Sequence, residues 1–222
     1  MKTKRVLSIA GIAAPIIFFV LVITLGALEP GYSHLSNMMS VLGGVQGIRG
    51  FLFNAGIVTT GLLVIVFAAG LQRSSRDGGR SKVGMILLIF GGIGLGLSGV
   101  FACNEGCTNV IKEPNTIGTI HMLMAFVAGM CLSISPLFFY GRLRKSATWK
   151  RYAALTLGAG IAANIPGIVF WVTMATTRLP GVEGLIQRLG IVFVFIWIEV
   201  MAWKMLRPIA EQSGGGEMSK PR

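Results

Sequence analysis

Long apolar runs alternate with short polar stretches along most of the chain. Six runs are long enough to cross a bilayer, because about 20 apolar residues in a helix match a hydrocarbon core of about 30 Å. Backbone polar groups must pair within the segment inside lipid, so we predict helices rather than strands. The sequence therefore predicts an all-α integral membrane protein, a bundle of six transmembrane helices over residues 6–28, 50–71, 83–101, 118–140, 152–177 and 189–206.

Composition agrees with a single membrane domain. Hydrophobic residues make up 53% of the 222 residues and charged residues only 13%, about half of the charged share in soluble domains. This excludes a cytosolic enzyme and a disordered chain. We predict one domain over residues 1–206, followed by a disordered cytoplasmic tail over 207–222 that contains three consecutive glycines.

The net charge of +12 would suggest nucleic-acid binding if it lay on one folded surface. Instead, 16 of the 20 basic residues lie at the two termini and in the second and fourth connections, and four lie in the other connections. The positive-inside rule then places both termini in the cytoplasm. We expect a multi-pass protein of the cell membrane with lipid as its partner and no nucleic acid. The sequence leaves the oligomeric state open.

Small residues predict where the helices pack closely, since helix association in lipid depends on close approach. The third span contains Gly92-x-x-x-Gly96, and the fifth contains Gly158 and Gly160. Both spans are therefore expected to be central. Pro166 predicts a kink in the fifth span, with a functional broken helix as the alternative.

The outer connections hold most of the polar residues. Ser33 can cap a short helix whose apolar residues recur at helical spacing, which predicts an amphipathic segment in the headgroup layer or over the bundle. Cys103 and Cys107 favour a disulfide in an oxidising compartment. Two free thiols, or a metal site completed by His121 and a carboxylate, are the alternatives. Three Cys and two His cannot form a multi-His cage or a four-Cys zinc site, and we expect no metal or cofactor.

Three motifs lie near the predicted outer ends of the spans. They are Ser40-Val41-Leu42-Gly43 with Leu52-Phe53-Asn54-x-Gly56, then Gly99-Val100-Phe101-x-Cys103-x-x-Gly106-Cys107 with Gly118-x-x-His121, and Gly184-x-x-Gln187-Arg188. In this order they resemble the signatures of the domain-of-unknown-function 998 family of prokaryotic six-helix membrane proteins, over residues 8–206. The resemblance implies a fold and a topology rather than an activity. Ala102 and Asn104 stand where that family often has proline and an acidic residue, which weakens a metal role.

Glu199 is an ionisable residue inside a span, and such residues are functional candidates. Arg188 lies eleven residues earlier, which places both on one face of the sixth span about 16 Å apart. We expect this face to point inward, with Asn54 and Asn164 as possible partners. Pairing of Glu199 with Lys204 or with a basic residue of an inner connection is the alternative.

His121 is the strongest catalytic candidate, because imidazole titrates near neutral pH. Gly96-Leu97-Ser98-Gly99 resembles the serine motif of rhomboid proteases. Ser98, however, lies near the carboxyl end of its helix, where free backbone donors for an oxyanion are absent. We predict instead that the Cys103–Cys107 loop and four outer residues converge in one polar pocket. The four are Ser40, Asn54, His121 and Arg188.

These features favour a protein that binds or transports a small or lipid-like ligand, with an enzyme as the less favoured class. The first alternative is a membrane enzyme acting on a lipid head group, with His121 as acid/base and Arg188 holding an anionic group. The second alternative is a non-enzymatic membrane scaffold.

The predicted topology is tested by reporter fusions truncated after Ser75 and after Lys145. Both fusions are expected to report a cytoplasmic location, because both positions lie in basic connections. A periplasmic or extracellular signal from either fusion would contradict the orientation.

Overall fold

The computed structural model describes residues 2–79, 82–111, 113–176 and 181–207, and within them the regular structure is entirely helical. The six predicted spans are confirmed as helices long and apolar enough to cross a membrane. Of the predicted tail, only Arg207 is among the described residues. The helices are α1 (Lys2–Leu28), α2 (Ile48–Ser74), α3 (Val83–Val100), the short α4 (Thr108–Ile111), α5 (Thr116–Leu143), α6 (Ala153–Thr176) and α7 (Glu183–Leu206).

The six long helices form a ring in chain order, which α1 and α7 close by packing together. Leu7, Gly70 and Met205 meet at one end of this ring, so both ends of the described chain lie there. We call it the basic end; it carries the connections 75–82 and 144–152. The opposite end carries the connections 29–47 and 101–115, and we call it the cysteine end.

Glycines bring α2, α3 and α5 into backbone contact. A Cβ atom at Gly61 would lie 2.4 Å from the carbonyl oxygen of Gly92, and one at Gly94 would lie 2.7 Å from that of Met124. No side chain fits at such distances, so only glycine permits these approaches. The dense packing predicted for the third span is therefore present in α3.

The expectation that the fifth span is also central is wrong. In α6 the side chains of Ile161, Ile165 and Val172 are about half exposed on the outer surface of the bundle. Among the described residues, no atom outside its own helix backbone lies within 4 Å of a Cβ placed at Gly158. A glycine lets a backbone approach but does not supply the partner. The helix is also continuous through Pro166, so the broken-helix alternative is wrong.

Hydrogen bonds tie the two connections of the basic end together. The Nε of Arg142 donates to the hydroxyl of Ser75 (2.9 Å), and the hydroxyl of Ser146 donates to the carboxylate of Asp77 (2.7 Å). Burial alone would raise the pKa of Asp77, but the hydrogen bonds from Ser146 and Thr148 outweigh it and lower the pKa. Asp77 therefore stays ionised and holds the two connections together.

The connection after α1 differs from the predicted amphipathic helix. Its helical part is a 3-10 helix over Met39–Gly44. The residues before it form turns, because Asn37 Oδ1 accepts from the backbone N–H of Ser33 (2.7 Å) and competes with helical hydrogen bonding. Met39 and Leu42 are buried, so the segment caps the bundle.

Replacing Gly61 by Ala is expected to lower the free energy of unfolding by about 1–3 kcal/mol, because the added Cβ forces two backbones apart. The matched control is Gly158→Ala, where the Cβ meets open space and the higher helix propensity of Ala gives no loss of stability. Reversible unfolding of both variants in mild detergent provides the comparison. Equal effects at the two positions would contradict backbone contact between α2 and α3.

Candidate functional site

A cavity of about 460 Å³ lies inside the cysteine-end half of the bundle, within the range of about 300–1,000 Å³ typical of small-molecule sites. All six long helices and the connection after α1 contribute to its walls. Most of the lining side chains are apolar, among them Phe18, Ile57, Leu95, Ala128, Phe170 and Val194.

Small residues on α5 and α6 create this space. Ala125 and Gly129 on α5 face the cavity, as do Ala163 and Gly167 on α6. Apart from its own helix, the only atom of the described residues within 4 Å of a Cβ placed at Gly129 is the indole nitrogen of Trp171, at 3.7 Å. The backbones of α5 and α6 are therefore not in contact here, unlike those of α2 and α3. The space that larger side chains would fill remains as a cavity.

Asn164 and Ser133 close the floor of the cavity. The amide nitrogen of Asn164 donates to the carbonyl oxygens of Ser133 and Gly160, each at 2.7 Å, and the hydroxyl of Ser133 donates to Asn164 Oδ1 at 3.2 Å. Both polar side-chain atoms of the predicted candidate Asn164, Nδ2 and Oδ1, thus form hydrogen bonds that join α5 to α6. The wall of α5 extends from His121 to Ser133, a length of about 18 Å at the helical rise per residue.

The cavity reaches the outer surface of the bundle beside α6. Ile168 both lines the cavity and is 57% exposed. Further towards the cysteine end, the rings of Phe126 on α5 and Trp171 on α6 meet edge to face at 4.9 Å. An opening on this side faces the hydrocarbon of a bilayer rather than water.

His121 lies in the wall near the cysteine end and is only 8% exposed. Its Nδ1 lies 2.9 Å from the carbonyl oxygen of Ser98 and 3.1 Å from that of Phe101. Because a carbonyl oxygen only accepts, Nδ1 carries a hydrogen, and Nε2 of the neutral ring is an acceptor. Within the described part of the chain, no hydrogen bond to Nε2 is present.

Ser40 and Asn54 also line the cavity, as the predicted convergence requires. A disulfide joins Cys103 to Cys107. The sulfur of Cys103 lies 3.2 Å from the carbonyl oxygen of Ser40, and the sulfur of Cys107 lies 3.5 Å from the Ser40 hydroxyl. The amide of Asn54 donates to the carbonyl oxygen of Gly43 at 2.8 Å. The disulfide and Asn54 therefore both hold the 3-10 helix over the cavity without the cysteines lining it.

The expectation that Arg188 joins this pocket is wrong, since its side chain does not line the cavity. The guanidinium donates to the carbonyl oxygens of Asn37 (2.9 Å) and Gly184 (2.7 Å) and to the hydroxyl of Tyr32. Burial raises the pKa of Tyr32, so this hydroxyl stays protonated and neutral. Arg188 thus anchors the connection after α1 to α7.

The expectation that Glu199 faces inward is also wrong. It is half-buried in a groove between α1 and α7 beside Pro15 and Phe19, away from the cavity. Larger residues of α7, among them Trp197 and Ile198, fill the interior at this level. Arg188 and Glu199 do share one face of α7, as their spacing predicted, but this face points towards α1 and its connection.

The alternative partner of Glu199 is engaged elsewhere. Lys204 is buried, and its ammonium lies 5.8 Å from the ring centre of Trp149 and 5.9 Å from that of Tyr152. The carboxylate of Glu199 instead receives a long contact of 3.5 Å from the indole nitrogen of Trp203. Glu199 therefore has neither of its predicted ionic partners among the described residues.

Gln187 and Trp171 are two lining residues that could contact a ligand and that were not among the predicted site residues. Gln187 lines the cavity, and its Oε1 accepts from the backbone N–H of Met39 at 2.8 Å. Trp171 stands at the lateral opening. Gln187 belongs to the third motif, so its polarity beside Arg188 was an available signal. Trp171 carries no signal that separates it from a lipid-facing aromatic residue.

The described residues contain no group of three or more His, Cys, Asp or Glu side chains that could hold a metal ion. Fold and cavity together define a multi-pass, all-α membrane protein with an internal cavity. The chain belongs to the family described as "Protein of unknown function (DUF998)", whose model matches residues 12–204, which confirms the resemblance seen in the motifs. Comparisons with curated proteins and with solved structures gave no match.

Proposed function

We propose that the cavity binds a small or lipid-like ligand that enters from the bilayer beside α6. The observation that carries this proposal is an apolar cavity of about 460 Å³ whose lining residue Ile168 is also 57% exposed on the lipid-facing surface. A ligand dissolved in the hydrocarbon reaches such a cavity without crossing the headgroup layer. Its apolar part is stabilised by contact with the walls, as in other small-molecule sites.

The closed floor favours binding over passage through the bundle. Below Ser133 and Asn164, the side chains of Phe139 and Trp197 are almost completely buried and fill the interior. The cavity is therefore accessible from one side in this conformation. With the cysteine end outside the cell, as the distribution of basic residues predicts, the opening lies in the outer leaflet.

The two other candidate functions have less support. A lipid-modifying enzyme gains an oriented acceptor at His121 Nε2, but the expected head-group anchor, Arg188, is bonded to Tyr32 and Asn37 instead. A scaffold function does not require an internal cavity of this size. We therefore rank ligand binding first.

Photolabelling with a long-chain alkyl diazirine in lipid vesicles tests the proposal. In the unaltered protein, we expect labels on cavity residues such as Met122 and Met174 in addition to lipid-facing residues such as Leu123. Gly129→Leu places a side chain in the cavity and is expected to reduce labelling of Met122 and Met174 at least about fivefold, because overlapping atoms exclude the probe.

The matched control is Gly141→Leu, the same substitution on the same helix at an exposed position, where no described residue of another element lies within 4 Å of the added Cβ. It is expected to leave all labels unchanged. Labels confined to Leu123 and other lipid-facing residues, with no difference between the two variants, would contradict a ligand cavity.

A further inference from the structure

The cavity has an electrically neutral lining. No Asp, Glu, Lys or Arg is among the described residues that line it. Charged groups of the cysteine end are engaged elsewhere: Arg49 pairs with Glu29 at 3.0 Å, and Arg188 is bonded to Tyr32. An anionic or cationic group in the cavity would lose its hydration without gaining an opposite charge, which is strongly unfavourable. The ligand is therefore uncharged in the part that the cavity encloses.

The polar atoms of the lining define the hydrogen bonds that a ligand can make. His121 offers an acceptor at Nε2, because its Nδ1 is held as a donor by two carbonyl oxygens. Gln187 offers the N–H groups of its amide, since its oxygen accepts from Met39. A hydroxyl is a small neutral group that both donates and accepts. The lining thus matches an alcohol better than an ester, an ether or a plain hydrocarbon.

The length of the cavity limits the apolar part of the ligand. The α5 wall below His121 consists of small and apolar residues, among them Ala125, Ala128 and Leu132. It runs for about 18 Å down to Ser133, as judged from the helical rise. A narrow apolar volume of this length accommodates one extended hydrocarbon chain beneath a polar end.

We infer that the ligand is a neutral lipid with a hydroxyl-bearing end, and that Nε2 of His121 accepts the hydrogen bond of this hydroxyl. The inference rests on the proposed function of the cavity and names the chemical class of its ligand. It differs from the anionic head group of the enzyme alternative, since that group required Arg188 in the pocket.

The test compares three probes of equal chain length on the full-length protein, immobilised in mild detergent so that only bound label is counted. Tritium-labelled 1-tetradecanol is the reporter, and the competitors are unlabelled 1-tetradecanol, 1-methoxytetradecane and tetradecanoate at neutral pH. The ether cannot donate a hydrogen bond, and we expect it to compete about tenfold more weakly than the alcohol. The carboxylate is charged, and we expect it to compete roughly 100-fold more weakly.

His121→Asn isolates the role of Nε2. The asparagine amide places an N–H near the position of Nδ1, so the bonds to Ser98 and Phe101 are retained while the acceptor is removed. The variant is expected to bind 1-tetradecanol about tenfold more weakly and 1-methoxytetradecane with unchanged affinity. The comparison of probes on the unaltered protein stands even where this variant fails to fold.

The outcomes separate the inference from the proposed function. Equal competition by the ether or the carboxylate, or unchanged binding of 1-tetradecanol to a folded His121→Asn variant, would overturn the inference and leave a lipid-like ligand in place. The absence of saturable 1-tetradecanol binding to the unaltered protein, or equal saturable binding to the unaltered protein and the Gly129→Leu variant, would overturn the proposed function itself.

Discussion

The close approach of helix backbones at glycine is the constraint on which this structure depends. Lipid gives helices no hydrophobic reason to associate, so they hold together where small residues allow extensive contact. Gly61 against Gly92 and Gly94 against Met124 produce that contact along α2, α3 and α5. Small residues on the other side of α5, such as Gly129, meet no backbone, and the same lack of side-chain volume leaves a cavity there. Glycine thus produces both the close packing of α2, α3 and α5 and the cavity between α5 and α6.

Polar contacts hold in place the elements that surround the cavity. Asn164 and Ser133 join α5 to α6 below the cavity, and the disulfide supports the 3-10 helix above it through Ser40. Arg188 anchors the same connection to α7. Nε2 of His121, by contrast, has no hydrogen bond among the described residues. The Nε of Arg188 is also buried without a partner there, but Arg188 does not line the cavity. A polar atom left open towards an apolar cavity is the feature that gives the cavity chemical selectivity.

The sequence predicted the membrane spans and the family, because both depend on local pattern. Ser40, Asn54 and His121 line one cavity because all three lie at the cysteine end of the bundle. Other expectations failed for one physical reason: a sequence shows which residues share a helix face, but not which neighbour that face meets. Arg188 and Glu199 share a face of α7 that meets α1, and Gly158 of α6 meets no neighbouring helix among the described residues. The order of the helices in the ring determines which neighbour each of these faces meets, and that order follows from packing rather than from local sequence.

Native mass spectrometry of the protein released from its own membrane, followed by identification of the lipid that it retains, tests the central claim most directly. The account predicts one neutral, hydroxyl-bearing lipid for each chain, enriched over its share in the membrane. A chain that carries no lipid, or only the charged phospholipids of the bilayer in their ordinary proportions, would contradict it.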